Sequence, residues 1–236
     1  MEKRRILALC LMLGLTAGCA PDGPQVQADG GAEIPAEKYI AITFDDGPHR
    51  ETTEPLLDGL LERDVRATFF LIGRQIAGNE DLVERMEEEG HQVGSHTWNH
   101  VRLTDLSQDT LRREVEQTEE ALETLLGGES YWLRPPYGTV DDADQELIDV
   151  PMIKWSIDPR DWESRNTAQI VAAVLEAAKP NQIILLHDIY ETSVQAALEI
   201  VDSLQEEGYR FLTVEELLEV NGIEPEAGIL YCSGDP

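Results

Sequence analysis

The chain has 236 residues, 18 Lys+Arg against 47 Asp+Glu and a formal net charge of −29, which suits one large domain around a single core. With 42% hydrophobic and 28% charged residues it is neither collagenous, nor a coiled coil, nor disordered throughout. So acidic a balance excludes nucleic acid as a partner, because phosphate binding needs clustered Lys and Arg.

The N-terminus reads as an export signal over 1–18. Lys3, Arg4 and Arg5 form a basic n-region, 6–15 an apolar run too short to span a bilayer, and Thr16-Ala17-Gly18-Cys19 a small-residue end. This end resembles a bacterial lipoprotein signal, in which Cys19 becomes the lipidated first residue, although Thr16 stands where Leu is commonest. An ordinary signal cut near Ala20 is the alternative. Either way the domain is extracytoplasmic. Cys10 leaves with the signal and Cys19 takes lipid, so Cys232 remains alone and no intrachain disulfide is available. Residues 19–37, rich in Pro, Gly, Gln, Ala and Asp, read as a flexible tether, 38–220 as the folded domain and 221–236 as a C-terminal tail.

From Lys38 onward apolar runs alternate with amphipathic stretches. Strands are predicted at 39–44, 67–72, 92–95, 131–133, 152–156, 183–186 and 209–213, and helices at 53–63, 80–89, 107–126, 167–178 and 192–207. Gly90, Gly127 and Gly208 stand as helix stops. Strand-then-helix repetition predicts an α/β fold with parallel strands in a single domain. Its length suits a compact (β/α) barrel, and a doubly wound open sheet carries the same periodicity.

Five polar clusters fall at the C-terminal ends of predicted strands, the edge where parallel α/β folds assemble active sites. In Thr43-Phe44-Asp45-Asp46-Gly47-Pro48 adjacent carboxylates point in opposite directions, so one can bind a metal while the other approaches substrate; the same pair also serves as an Asx turn. In Gly94-Ser95-His96-Thr97-Trp98-Asn99-His100 two imidazoles four residues apart can share a metal with a carboxylate such as Asp46, leaving open positions. Leu133-Arg134-Pro135-Pro136-Tyr137-Gly138 is a rigid loop suited to aiming a backbone N–H at an oxyanion, and Arg134 can pair with one of the two Asp. The run 155–162 combines Asp158 and Asp161 with Trp155, read as core, and Trp162. Finally, Ile183-Ile184-Leu185-Leu186-His187-Asp188 delivers His187 beside a carboxylate, as a general acid requires. His49 and His91 read as solvated or locally bonded, and Glu87-Glu88-Glu89 as a wet helix face.

In this order the clusters resemble the polysaccharide deacetylase, or NodB-homology, family of carbohydrate esterases (family 4), over about 38–218. Ala67-Thr68-Phe69-Phe70, Gly90-His91-Gln92-Val93-Gly94 and Gly208-Tyr209-Arg210-Phe211 extend the match between motifs. Within the family the chain looks most like peptidoglycan N-acetylglucosamine deacetylases. The resemblance implies a distorted (β/α) barrel of about seven parallel strands. It implies a divalent metal, usually zinc, with cobalt, nickel or manganese also suited, on Asp46, His96 and His100. By the same resemblance Asp45 is the base, Arg134 orients it, and the Tyr137 N–H serves the oxyanion hole. His187 is the acid and Asp161 its partner, while Pro135, Tyr137, Trp162 and Leu185 contact substrate. The expected activity is removal of N-acetyl groups from a cell-wall or chitin-like polysaccharide, by a chain lipid-anchored at the outer face of the cytoplasmic membrane, with no protein partner implied. Esterase action on acetylated xylan and non-catalytic glycan binding are the competing readings.

Overall fold

The computed structural model describes residues 37–128 and 130–235; the export signal, Cys19 and nearly all of the predicted tether lie outside them. The order of elements is β1 (Lys38–Asp45), α1 (Arg50–Glu62), β2 (Thr68–Leu71), α2 (Glu80–Glu88), β3 (Gln92–Ser95), α3 (Gln108–Leu126), α4 (Asp142–Gln145), β4 (Met152–Ile153), α5 (Asp161–Ser164), α6 (Thr167–Ala177), β5 (Ile183–His187), α7 (Glu191–Glu206), β6 (Tyr209–Phe211), α8 (Val214–Val220) and β7 (Leu230–Tyr231).

All pairings between these strands are parallel: β3-β2-β1-β5 in sequence, β6 on the N-terminal half of β1, and β7 on β4. Parallel bridges Ser95 to Leu133, Leu133 to Met152 and Ile157 to Ile184 carry the pairing around from β3 through 133 and 152–157 to β5. The circuit closes, so the fold is a distorted (β/α) barrel rather than an open sheet.

Side chains alternate across the strands as a period of two demands. On β1, Ile40, Ile42 and Phe44 join the large core beneath α1, α2 and α7, whereas Ala41 joins an inner cluster with Phe70, Ile153 and Ile183. Farther along that inner row stand Thr43 and Asp45, both buried. The barrel interior thus turns from apolar to polar toward the C-terminal ends of its strands.

The short helices α4 and α5 have no counterpart in the sequence reading, the strand predicted at 152–156 covers only Met152–Ile153, and three further elements differ. The predicted strand at 131–133 is reduced to single bridges at Leu133, because Pro135 and Pro136 follow at once and cannot donate to a ladder. The segment read as a tail supplies β7, held to β4 by Met152 N donating to Ile229 O (2.8 Å) and Lys154 N to Tyr231 O (2.7 Å). Helix α8 was not foreseen. It begins in a reciprocal cap between Thr213 and Glu216 and lays Val214, Leu217 and Leu218 on the inner cluster. Among the described residues no helix is long and apolar enough to cross a membrane.

Candidate active site

The C-terminal ends of β1, β3 and β5 and the loop after Leu133 converge on a cavity of about 390 Å³. Register does much of this. Asp45, the last residue of β1, lies opposite His187, the last of β5, and opposite Phe70 on β2. The next residue, Asp46, takes a positive φ of 74°, which ends the strand and brings the second carboxylate to the same mouth, each aspartate placing one oxygen 3.7 Å from His96 Nε2.

Arg134 is fully buried and spends its donors on one wall. Nη1 donates to Asp45 Oδ1 and to Thr43 Oγ1, both at 2.7 Å, and Nη2 donates to Lys154 O at 2.9 Å. Its guanidinium lies 4.1 Å over the Phe70 ring. A fixed planar fork of this kind locks a carboxylate's rotamer as well as its charge. Of the two aspartates, Arg134 therefore pairs with Asp45. Burial pulls the arginine below its usual range, against the Asp45 charge and hydrogen bond.

Asp46 Oδ1 lies 3.4 Å from His100 Nε2 and 3.7 Å from His96 Nε2, and the three ligand atoms lie within 4.8 Å of one another. The arrangement passes a direct test for a cation. Asp46 Oδ1 is buried without any hydrogen-bond partner, which is costly for a carboxylate oxygen unless something else meets it. His96 Nδ1 donates to Arg134 O at 2.7 Å, leaving a lone pair on Nε2. Burial, with the neighbouring His96, lowers the His100 pKa and keeps that imidazole neutral against the pull of Asp46 and Asp45. One carboxylate and two imidazoles with open positions suit a divalent metal.

On the opposite wall His187 Nδ1 donates to Asp161 Oδ1 at 2.8 Å, while Asp161 Oδ2 accepts from His187 N (2.9 Å) and Ser193 Oγ (2.6 Å). Burial alone would depress the imidazolium, but the Asp161 hydrogen bond and charge, with Asp45 and Asp46 beyond, raise its pKa to about 9. Burial works upward on Asp161, yet the same pairing holds its pKa below the ordinary value. His187 is thus charged at neutral pH beside an ionised Asp161.

Tyr137, at φ 62°, Trp162 and Leu185 line the cavity, as does Trp155, which also packs on the inner core cluster. Pro135 is buried at the start of the turn Pro136–Gly138 rather than in the cavity wall. Each rim aromatic carries a guanidinium: Arg102 lies 4.4 Å over Tyr137, Arg160 5.4 Å over Trp162 and Arg165 3.2 Å over Tyr190. Tyr190 and Asp158 also line the cavity and were given no role by sequence reasoning. Thr43 was missed too, though its spacing of two from Asp45 on one strand was signal enough. His91 is buried, its Nδ1 accepting from Ala67 N at 3.0 Å, and burial lowers its pKa to about 4. Glu89 leaves the wet helix face to pair with Arg85 at 2.6 Å.

The family profile described as Polysaccharide deacetylase matches residues 32–149. The chain is 39% identical over 186 residues to the peptidoglycan-N-acetylmuramic acid deacetylase PdaC of Bacillus subtilis, covering 79% of this chain and 40% of that protein. It is 37% identical over 195 residues to a peptidoglycan-N-acetylglucosamine deacetylase of Bacillus cereus, covering 79% and 91%. The solved structure of PdaC superposes with a TM-score of 0.77 at 39% identity, over 80% of this chain and 93% of that one. The chain thus spans about 40% of the length of PdaC but most of the shorter relative. A barrel, the Asp46–His96–His100 triad and the Arg134–Asp45 and Asp161–His187 pairs agree with these likenesses, and the chain belongs to the polysaccharide deacetylase family.

Proposed function

We propose that this protein hydrolyses the N-acetyl groups of N-acetylglucosamine residues in a cell-wall polysaccharide. The observation that carries the reading is the opposition, across one cavity, of an Arg134-held Asp45 and an Asp161-held, protonated His187, with the Asp46–His96–His100 triad beside them. A divalent ion bound by that triad, with zinc the reading for its identity, supplies Lewis-acid polarisation of the acetamide carbonyl and a lowered water pKa. Asp45 takes the proton of the water that attacks the carbonyl carbon, and Arg134 keeps its carboxylate aimed throughout. The Tyr137 N–H donates to the developing oxyanion, a contact worth several kcal/mol of barrier in such sites, roughly 3. His187 then donates its proton to the departing nitrogen as the C–N bond breaks, giving acetate and a free amino sugar. Trp162 and Leu185 shape the cavity for the sugar and for the acetyl methyl, and Pro135 stiffens the loop that bears Tyr137.

The Bacillus cereus relative named as a peptidoglycan-N-acetylglucosamine deacetylase favours N-acetylglucosamine, and PdaC, named for N-acetylmuramic acid, favours an amino sugar of the same polymer. A second reading, O-acetyl removal from xylan, draws on a 38% identical bifunctional xylanase/deacetylase of Pseudobutyrivibrio xylanivorans. The same site serves either bond. Incubating metal-replete protein with N-acetylglucosamine oligomers, peptidoglycan and acetylxylan separately, with and without chelator, decides by mass spectrometry. Chelator-sensitive acetyl loss from the amino sugars supports the proposal; loss from xylan alone moves it to the ester; no loss from any of them rejects catalysis in favour of glycan binding.

The reading includes export and a diacylglycerol on Cys19, whose two chains suffice for stable anchoring, and a catalytic domain over 38–220. Release of a Cys19→Ser protein from the membrane fraction tests the anchor.

A further inference from the structure

His96 and His100 reach the same point by different supports. His96 follows β3 directly and is fixed by its Nδ1 bond to Arg134 O. His100 ends a turn in which Thr97 (φ 64°) and His100 itself (φ 57°) both sit in the left-handed region, a conformation that persists only where surroundings impose it.

Those surroundings are specific. From the turn after β2, Gly73 N donates to Thr97 O (3.0 Å) and Arg74 N to Trp98 O (3.2 Å). From α3, Glu114 O accepts from Trp98 N at 2.9 Å, and the Glu114 carboxylate accepts from Asn99 N and Asn99 Nδ2, each at 2.8 Å. Thr97 Oγ1 closes the turn on His100 N at 3.1 Å. The fit is tight: a Cβ on Gly73 would fall 2.6 Å from the Trp98 ring and 2.5 Å from Thr118 Oγ1. Glu116, Glu120 and Glu123 on the same helix are exposed, whereas Glu114 is 8% exposed. A buried carboxylate whose two oxygens meet the backbone and side-chain nitrogens of one asparagine is committed to that loop, since leaving the carboxylate itself unmet where it is buried is costly.

We propose that Glu114 is a positioning residue of the metal centre. Through Asn99 it holds His100 Nε2 opposite Asp46 and His96, so that α3, which contributes nothing to the cavity wall, sets the affinity for the divalent cation. The inference rests on reading Asp46, His96 and His100 as metal ligands. Supports of this kind around metal-bound imidazoles change affinity by 10- to 100-fold when removed.

The test is a competition titration of Zn²⁺ and Co²⁺ against a chromophoric chelator, with the Co²⁺ absorption spectrum as a second readout. It uses the protein, Glu114→Gln, Asn99→Ala and the double variant. Glu114→Gln is expected to weaken cation affinity about tenfold or more and to alter the Co²⁺ spectrum. Asn99→Ala, which keeps its backbone donor, is expected to lose less, and the double variant no more than Glu114→Gln, because both remove one contact. Metal-free melting curves report folding separately. A folded Glu114→Gln variant with unchanged affinity and spectrum overturns the proposal; if that variant does not fold, unchanged affinity in Asn99→Ala does so. Failure of the unsubstituted protein to bind either cation defeats the metal reading itself, a distinct result.

Discussion

Asp45 and Asp46 are neighbours in sequence, and their surroundings give them different work. Arg134 holds the first in a buried ion pair, and the positive φ of the second delivers an unpartnered oxygen to two imidazoles. Removing the charge of Asp45 as Asp45→Asn is expected to lower kcat by about 10²- to 10⁴-fold, measured as acetate release, with metal affinity little changed. His187 carries a second expectation. Its pKa of about 9 in the metal-free protein exceeds the ordinary 6.5, so the folded chain binds the proton more tightly than the unfolded one. The stabilisation is complete below about pH 6.5 and is lost as the pH rises toward 9. Following the imidazole by NMR checks this, and Asp161→Asn should lower the value, because burial remains when the partner hydrogen bond and charge are gone and only Asp45 and Asp46 still draw it up. A variant that still titrates near 9 would show that Asp161 is not the cause. The placement of Asp45, Asp46 and His187 was legible because each stands at or just past a strand end in a short motif, whereas the roles proposed for them came with the family resemblance. Glu114 and Tyr190 were not legible, since a Glu on an acidic helix looks solvated and only the packed fold brings α3 against the turn 97–100.

At the scale of elements, strand-then-helix repetition made the parallel α/β class readable, while the barrel came with the family resemblance; in the structure the inner row runs Ala41, Thr43, Asp45 on one strand and Ile183, Leu185, His187 on its neighbour. The strand at 131–133 shrank because two prolines follow it, and β7 escaped notice because two paired residues leave no periodic trace. Helix α8 had a signal that went unused, the Thr213-x-x-Glu216 box. Thr213→Ala is expected to cost about 1 kcal/mol, seen as a shifted denaturant midpoint at unchanged slope. A harsher test lies at Gly94 on β3, where a Cβ would sit 2.7 Å from Trp132 O and from the Phe70 ring. Backbone cannot yield as a side-chain tip does, so Gly94→Ala should destabilise by about 1–3 kcal/mol or more. It should also loosen the Arg134 stack on Phe70 and lower activity in the folded fraction.

Over the whole molecule, a net charge of −29 acts against compactness through self-repulsion, and Asp45 and Asp46 bring two carboxylates together at the barrel's mouth. Two remedies differ in what they need. Added salt screens the general repulsion within a Debye length of about 8–10 Å and requires no particular residue. A divalent cation on Asp46, His96 and His100 acts by mass action on the folded state alone, contributing about 2.7 kcal/mol at a hundredfold excess over its Kd. For a domain of this size that corresponds to a rise in Tm of roughly 5–11 °C. Melting curves with chelator, with zinc, and each at low and high monovalent salt separate the two effects. Salt should raise the Tm of the chelated protein and of Asp46→Asn alike, whereas zinc should raise only the unsubstituted protein. An equal zinc increment in Asp46→Asn would mean that the ion binds elsewhere on the acidic surface, and that the buried Asp46 oxygen awaits some other partner.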